Sequence, residues 1–321
     1  VFDFEIDTYW VQAGGGELAG VCSRSSASAA ALRQELGVPL PYFPVFRSMV
    51  DTTEPDVLFV CVPPYAHDGE AEYAAERGIH LFLEKPLALT LERAASICSA
   101  ATDAGVLTQV DFHHRFHPLV RRMRAALNDR SAGRPLLVQS RFFCNSLHAD
   151  WWRKKEMSGG QLLEQVIHLF DLIIYFLGPI RQVHAFQSNL CHQHSQDYTV
   201  EDTSAACLLA ESGAMVSLAA SNCAIPGRWE AAFHLVCEHM TAFYSSVEPG
   251  YIVGTDGPEA FTAGETRPAL EPHRAALLEF LEAVRGSGSG SDSGDKSGSP
   301  SVPADAAYRA LREREAIGST A

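Results

Sequence analysis

Between residues 17 and 115 short apolar runs alternate with helix-patterned segments, and glycine closes each helix. Glu17 to Cys22 reads as a strand, and Ser26 to Leu36 as a helix stopped by Gly37. Val57 to Val62 reads as a second strand, followed by a helix from about Asp68 to Arg77 that ends at Gly78. Ile79 to Leu83 is a third strand, Leu91 to Ala104 a helix stopped by Gly105, and Val106 to Phe112 a fourth strand. Runs this apolar suit strands buried on both faces, joined by right-handed crossovers. The pattern predicts an α/β fold with a Rossmann-like, doubly wound parallel sheet.

Near residue 116 the grammar changes. One long helix is followed by strand patterns around 181–190, 203–210, 214–222 and 230–238, with Glu211-Ser212-Gly213 as a hairpin turn. Consecutive strands without intervening helices predict an α+β part with a mainly antiparallel open sheet. At 321 residues the chain can hold two cores. The expected domains are therefore 1–115 and 116–321, with a flexible Gly/Ser linker at 286–301 and a short helix from Pro303 to Ile317.

Composition narrows the partners. A formal charge of −14 argues against nucleic acid, because phosphate binding needs concentrated positive charge. Arg121-Arg122-Met123-Arg124 reads as the solvated face of a helix. The most apolar stretch, Leu162 to Leu177, is interrupted by Glu164, His168 and Asp171, which argues against a membrane span. Eight cysteines without a C-x-x-C pair suit thiols in a reducing, cytoplasmic setting. Cys191-His192-Gln193-His194 lacks companion ligands at recognisable spacing, so it reads as a polar loop and no metal is expected.

Two places carry chemistry. Leu81-Phe82-Leu83-Glu84-Lys85-Pro86 ends a buried strand in a carboxylate and an ammonium. Open α/β sheets bind ligands at that end, so Lys85 is within reach of one; the plainer reading is a charged strand end. The second place is a helix opened by Ser158 as N-cap and closed by Gly178-Pro179. Its polar residues Gln161, Glu164, Gln165, His168, Asp171 and Tyr175 recur every three or four positions, forming one narrow stripe. Glu164 and His168 are spaced for a carboxylate to orient an imidazole acting as acid or base. The plainer reading is a structural helix with a thin polar strip.

Together these residues resemble the Gfo/Idh/MocA family of NAD(P)-dependent oxidoreductases. The resemblance rests on Val57 through Pro63-Pro64-Tyr65-Ala66-His67, on Glu84-Lys85-Pro86, on Arg115-Phe116-His117-Pro118, and on Gly159-Gly160 through Glu164, His168 and Asp171. It implies that His168 takes a substrate hydroxyl proton while hydride leaves for nicotinamide, with Glu164 orienting it. It also implies that Lys85 holds the substrate oxygen and contacts the cofactor ribose. Pro63, His67, Glu84 and His113 become expected cofactor contacts, and Trp152 and Arg153 expected substrate contacts. The implied substrate is a sugar, polyol or related hydroxyl or carbonyl compound. A homodimer or homotetramer through the open sheet is implied too. Relatives of this kind also include non-catalytic nucleotide- or sugar-sensing proteins and NAD-dependent glycoside hydrolases.

The chain departs from the pattern at its start. It has no G-x-G-x-x-G, and Gly14-Gly15-Gly16 precede a strand rather than follow one. Val1 to Asp7 alternate with Asp3, Glu5 and Asp7 on one face, unlike a strand buried on both sides. The expectation is an incomplete first domain, from an N-terminally shortened dehydrogenase rather than a natural variant with weakened cofactor binding. Cys22-Ser23-Arg24-Ser25 at the end of the next strand carries no carboxylate. A guanidinium flanked by Ser23 and Ser25 favours the 2′-phosphate of NADP over NAD.

Overall fold

The computed structural model describes residues 16–145, 149–224, 226–254, 271–287, 300 and 302–318. Val1–Asp7 and most of the 286–301 linker, both singled out above, lie outside the described residues; Gly286 and Ser287 end a helix, Glu271–Ser287. The chain forms two compact units: Val1–Asp111 with His273–Tyr308, and Phe112–Pro272 with Arg309–Ala321. The border therefore falls at Asp111 rather than 115, and His273–Tyr308 leaves the expected second domain for the first. Side-chain packing supplies the reason. Phe280 meets Phe82 edge-on at 5.6 Å, Gln109 donates to the Ala276 carbonyl at 2.7 Å, and the Val110 amide donates to the Val302 carbonyl at 2.9 Å.

In the first unit β1 (Val21–Cys22) runs parallel to β2 (Tyr42–Phe43). A second ladder holds β3 (Val57–Val60), β4 (His80–Leu83) and β5 (Thr108–Val110), parallel and in that order. Leu81, Phe82 and Leu83 are almost wholly buried, as a two-faced parallel strand requires. Helices Ser26–Leu36 and Leu91–Ala104 start at the Ser25 and Thr90 caps and close at Gly37 and Gly105. Both closing glycines take φ near +66°, where a side chain would be strained. The strand expected from Glu17 is only Val21–Cys22, and β2 with helix Phe46–Thr53 had no expected counterpart. Two-residue strands are too short to show a period of two.

Among the described residues β1-β2 and β3-β4-β5 are separate parallel ladders. A cavity of about 2310 Å³ is lined from both ladders, by Val21, Leu58 and Val60 among others.

The second unit is built on seven strands: β6 (Pro135–Phe143), β7 (Ile180–Ser188), β8 (Thr203–Ala210), β9 (Met215–Ser221), β10 (Glu230–Cys237), β11 (Met240–Ser245) and β12 (Tyr251–Gly254). Their order is β12-β11-β10-β6-β9-β8-β7, and all neighbours are antiparallel except β6 and β9. Val138, Phe142, Val216, Leu218 and Phe233 point to the buried face, where Phe233 packs on Phe176 at 5.4 Å. The opposite face leaves Phe186, Met215 and Leu137 exposed. Met123, expected on a solvated face, is fully buried within helix Pro118–Asn128.

The long helix expected from Ser158 is broken into Lys155–Ser158, Gln161–Glu164 and Ile167–Leu177. Gly159 and Gly160 both take positive φ, and a Cβ on Gly160 would lie 2.7 Å from Glu201 Oε1. Ser158 is therefore no N-cap; its hydroxyl accepts from the Gly160 amide at 3.1 Å and donates to the Lys154 carbonyl at 3.2 Å. Gln161 is buried, donating to Asn222 at 2.8 Å and accepting from Ser204 at 2.9 Å. Part of the polar stripe thus meets buried polar partners. Among the described residues no single helix is long and apolar enough to cross a membrane.

Candidate active site

In the first unit the expected residues gather at the carboxyl ends of the parallel strands. After β1, Ser25 caps the following helix by accepting from the Ser28 amide at 3.2 Å, and the Ser23 hydroxyl donates to the Ser25 carbonyl at 2.8 Å. Arg24 is exposed and its Nη1 donates to the Tyr65 hydroxyl at 3.4 Å. Ser23, Arg24 and Pro63 border the cavity. His67 contributes differently from expectation, because its Nδ1 is bound to the Glu70 carboxylate beside it. Burial pushes the Glu70 carboxyl up, but the His67 hydrogen bond and charge and the Asp68 amide outweigh it and hold Glu70 below the usual range. That pair fixes the loop after β3.

Glu84 and Lys85 follow β4. Glu84 Oε2 accepts from the Lys85 amide at 3.1 Å, and the Lys85–Pro86 peptide is cis. Asp111, buried just past β5, accepts from His273 Nδ1 at 2.6 Å. Burial, then the charge of Asp111, pushes the Glu84 carboxyl up to about 8 against the opposing pull of Lys85 and His273. Glu84 is thereby biased toward its neutral form. The sequence reading missed Asp111 and His273. An acid closing the apolar run to Phe112 was a usable signal for Asp111, while Glu271-Pro272-His273 offered none.

A stability prediction follows. The folded-state value of Glu84 lies above its ordinary 4.5, so its contribution is complete below pH 4.5 and is lost as pH rises through about 8. Across that window the native chain loses on the order of a few kcal/mol from this group. Glu84→Gln removes that slope. Urea unfolding at several pH values measures it, and parallel pH profiles for the two proteins would refute the assignment.

In the second unit three imidazoles converge. His113 and His114 begin a short 3₁₀ turn, His113–Phe116, and His168 is the second residue of helix Ile167–Leu177. Their ring centroids are 4.3 Å (His113–His114), 4.7 Å (His113–His168) and 4.9 Å (His114–His168) apart. One nitrogen from each falls within 4.8 Å of the others. His168 is only 6% exposed and lies edge-on to Phe112 at 5.8 Å. His114 Nδ1 is hydrogen-bonded to the buried Tyr244 hydroxyl, whose pKa burial pushes up.

A buried ion pair sets this convergence. Arg115 Nε donates to Asp171 Oδ2 at 2.7 Å and Nη2 to Oδ1 at 2.5 Å, both side chains being almost fully buried. Burial pushes the Asp171 carboxyl up and the Arg115 guanidinium opposes it. The guanidinium also stacks over the Tyr175 ring at 4.5 Å. Asp171 lies one helical turn after His168, and Arg115 directly follows His113 and His114, so the fork locks the two segments in register.

Three further expected residues lie around the start of this helix region. Glu164 accepts from Trp152 Nε1 at 2.8 Å, so its carboxylate has an indole partner. Trp152 is 2% exposed and packs with Tyr198 and Val200, so it belongs to a core cluster rather than a pocket wall. Arg153 is near the surface, with Nη1 3.5 Å from Asp150. A large aromatic beside a helix start carries the same local signal in either role.

Two family models match: "Oxidoreductase family, NAD-binding Rossmann fold" over residues 5–112 and "GFO/IDH/MocA C-terminal domain" over residues 120–243. The chain is 30% identical over 202 residues to D-glucoside 3-dehydrogenase of Escherichia coli K12, covering 58% of this chain and 57% of that one. It is 32% identical over 177 residues to D-xylose 1-dehydrogenase (NADP(+)) 2 of Haloferax volcanii, covering 54% of each. The match thus spans little more than half of these curated relatives. The fold resembles the crystal structure of WlbA dehydrogenase from Bordetella pertussis in complex with NADH and UDP-GlcNAcA. That likeness has a TM-score of 0.79 at 22% identity, over 98% of this chain and 91% of that one. With one model matched in each half of the sequence, the chain belongs to the GFO/IDH/MocA family of oxidoreductases.

Proposed function

We propose that this protein moves hydride between a nicotinamide dinucleotide and a hydroxyl or carbonyl carbon of a sugar or polyol. The observation that carries the proposal is the meeting of His113, His114 and His168, held in register by Arg115 and Asp171. In the oxidation direction His168 takes the hydroxyl proton, and a near-neutral imidazole is suited to that transfer. The dinucleotide, when bound, supplies the hydride acceptor. Lys85, at the carboxyl end of β4, holds the cofactor ribose in this reading. The relatives named above act on a glucoside and on xylose by their names, which supports a sugar-like substrate.

The first unit fits such a cofactor at its adenosine end, where Ser23 and Arg24 border the cavity after β1. No G-x-G-x-x-G for the pyrophosphate occurs in the chain. That feature favours a second reading, a non-catalytic relative that senses a nucleotide or sugar. Fluorescence titration with NADPH and NADH, followed by turnover assays on a panel of sugars and polyols, separates the two. Turnover supports the oxidoreductase, binding without turnover supports the sensor, and no binding of either cofactor sinks the oxidoreductase and leaves a sugar sensor.

Arg24 makes NADP the preferred cofactor in this reading. A charge-assisted hydrogen bond is worth about 1.5–3 kcal/mol, so Arg24→Ala should weaken NADPH binding about tenfold or more and NADH binding little. Equal losses for both would exclude Arg24 as a 2′-phosphate contact. The protein also forms a homodimer or homotetramer through the open sheet face, where Phe186 is 83% and Met215 59% exposed. Light scattering that returns the mass of one chain would overturn this. A cytoplasmic setting belongs to the same proposal.

A further inference from the structure

The loop between β7 and β8 brings together side chains that the histidine cluster does not use. Cys191 and His192 lie on this loop, and Cys223 follows the end of β9. One ligand atom from each falls within 4.8 Å of the other two. Cys223 Sγ is 3.9 Å from His192 Nδ1, and the Cys191 and Cys223 thiols contact each other. Both are free thiols. Sequence spacing gave Cys191-His192 no companion ligand; the fold delivers one from a different strand.

The arrangement is fixed by Asp202, whose side chain is fully buried. Its carboxylate accepts from the amides of Leu190 at 2.9 Å, Cys191 at 2.8 Å and His192 at 2.9 Å, and from the Thr203 hydroxyl at 3.1 Å. Asp202 Oδ2 also lies 3.1 Å from His192 Nδ1. On the other side the Asn222 amide donates to the Asp202 carbonyl at 2.8 Å, and Asn145 bridges to Cys223. The His192 ring stacks on Tyr198 at 4.7 Å. Backbone and side chain are therefore both held with the two sulfurs and the imidazole facing one another. Cys191 is exposed, which leaves a path for an ion.

We propose that Cys191, His192 and Cys223 form a binding site for one thiophilic divalent cation of the zinc class, with the Asp202 carboxylate beside them. Two sulfurs and an imidazole select zinc-like ions over magnesium or calcium, which prefer all-oxygen sites. In a tetrahedral zinc site with Zn–N of about 2.0–2.1 Å and Zn–S of about 2.3 Å, nitrogen and sulfur are roughly 3.5 Å apart. The 3.9 Å found here needs a small contraction, and ligation through Nδ1 replaces that nitrogen's contact with Asp202. A bound ion would tie the β7–β8 loop to the end of β9. Through Tyr198, which packs on Trp152 at 6.2 Å, it would brace the indole that holds Glu164.

Cobalt(II) titration of the reduced, full-length protein tests this. The expected result is one equivalent bound with a thiolate-to-cobalt charge-transfer band, displaced by zinc. The band weakens in Cys191→Ser and in Cys223→Ser, each of which keeps one thiol, and disappears in the double variant. Asp202→Asn weakens binding by loosening the loop amides. Cobalt bound without that band, as an imidazole-only site would give, overturns the proposal. So does binding unchanged in the double Cys→Ser variant, or a Cys191–Cys223 disulfide that re-forms in place of metal uptake. If a variant fails to fold, the band in the unmutated chain decides alone.

Discussion

Replacing His168 with alanine should lower kcat on a sugar or polyol substrate by about 10²–10⁴-fold, the usual contribution of a positioned general base. NAD(P)H binding should change little, because His168 lies in the second unit and the proposed ribose and phosphate contacts lie in the first. Removing a group that acts only on the transferred proton lowers kcat and kcat/KM together, whereas removing a substrate anchor raises KM. His114→Ala is expected to cost less, since its Nδ1 is already engaged by Tyr244. A His168→Ala enzyme that turns over within a few-fold of the native rate would remove this residue from the chemistry.

The largest stability effect is expected at Arg115 and Asp171. Removing one partner of a buried, bidentate ion pair strands the other charge, and costs about 3–5 kcal/mol. Asp171→Ala and Arg115→Ala should each lower the urea midpoint accordingly. The apolar pair Arg115→Met with Asp171→Leu should cost clearly less than the sum, because neither charge is left alone. Strict additivity in that double-mutant cycle would mean the pair is not coupled. Because the fork also sets the register of His113 and His114 against His168, a folded single variant should lose activity as well.

The first unit was largely legible because its signals are local. Thr90 and Gly105 bracket one helix, Ser25 and Gly37 another, and each apolar strand run stands between them. The strand 203–210 was likewise readable, set off by the Glu211-Ser212-Gly213 turn. The broken helix was not, because the apolar pattern runs on through Val166. Its breaks answer to tertiary contacts, Gly160 against Glu201 and Gln161 against Asn222 and Ser204. The strand β6, central to the second sheet, escaped notice. It begins at a proline and carries Gln139, Ser140 and Arg141, and its partners β9 and β10 come much later in sequence. His113 and His168 were each singled out from sequence. Their meeting depends on Arg115 reaching Asp171 across 56 positions, which no local spacing encodes.

The return of His273–Tyr308 to the first unit bears on how the protein is made. The Val110 amide of β5 waits for the Val302 carbonyl, and Phe82 for Phe280. At a synthesis rate of about 5–20 residues per second, the ribosome needs roughly 10–40 s to supply that stretch. During that interval β4 and β5 lack the aromatic cover and the amide partner they finally acquire. A nascent chain stalled inside the second unit therefore carries a first unit with an open apolar edge, which makes it a natural client for chaperones. For the same reason the first unit cannot be produced by stopping translation at its border; its last pieces lie on the far side of its neighbour's gene segment.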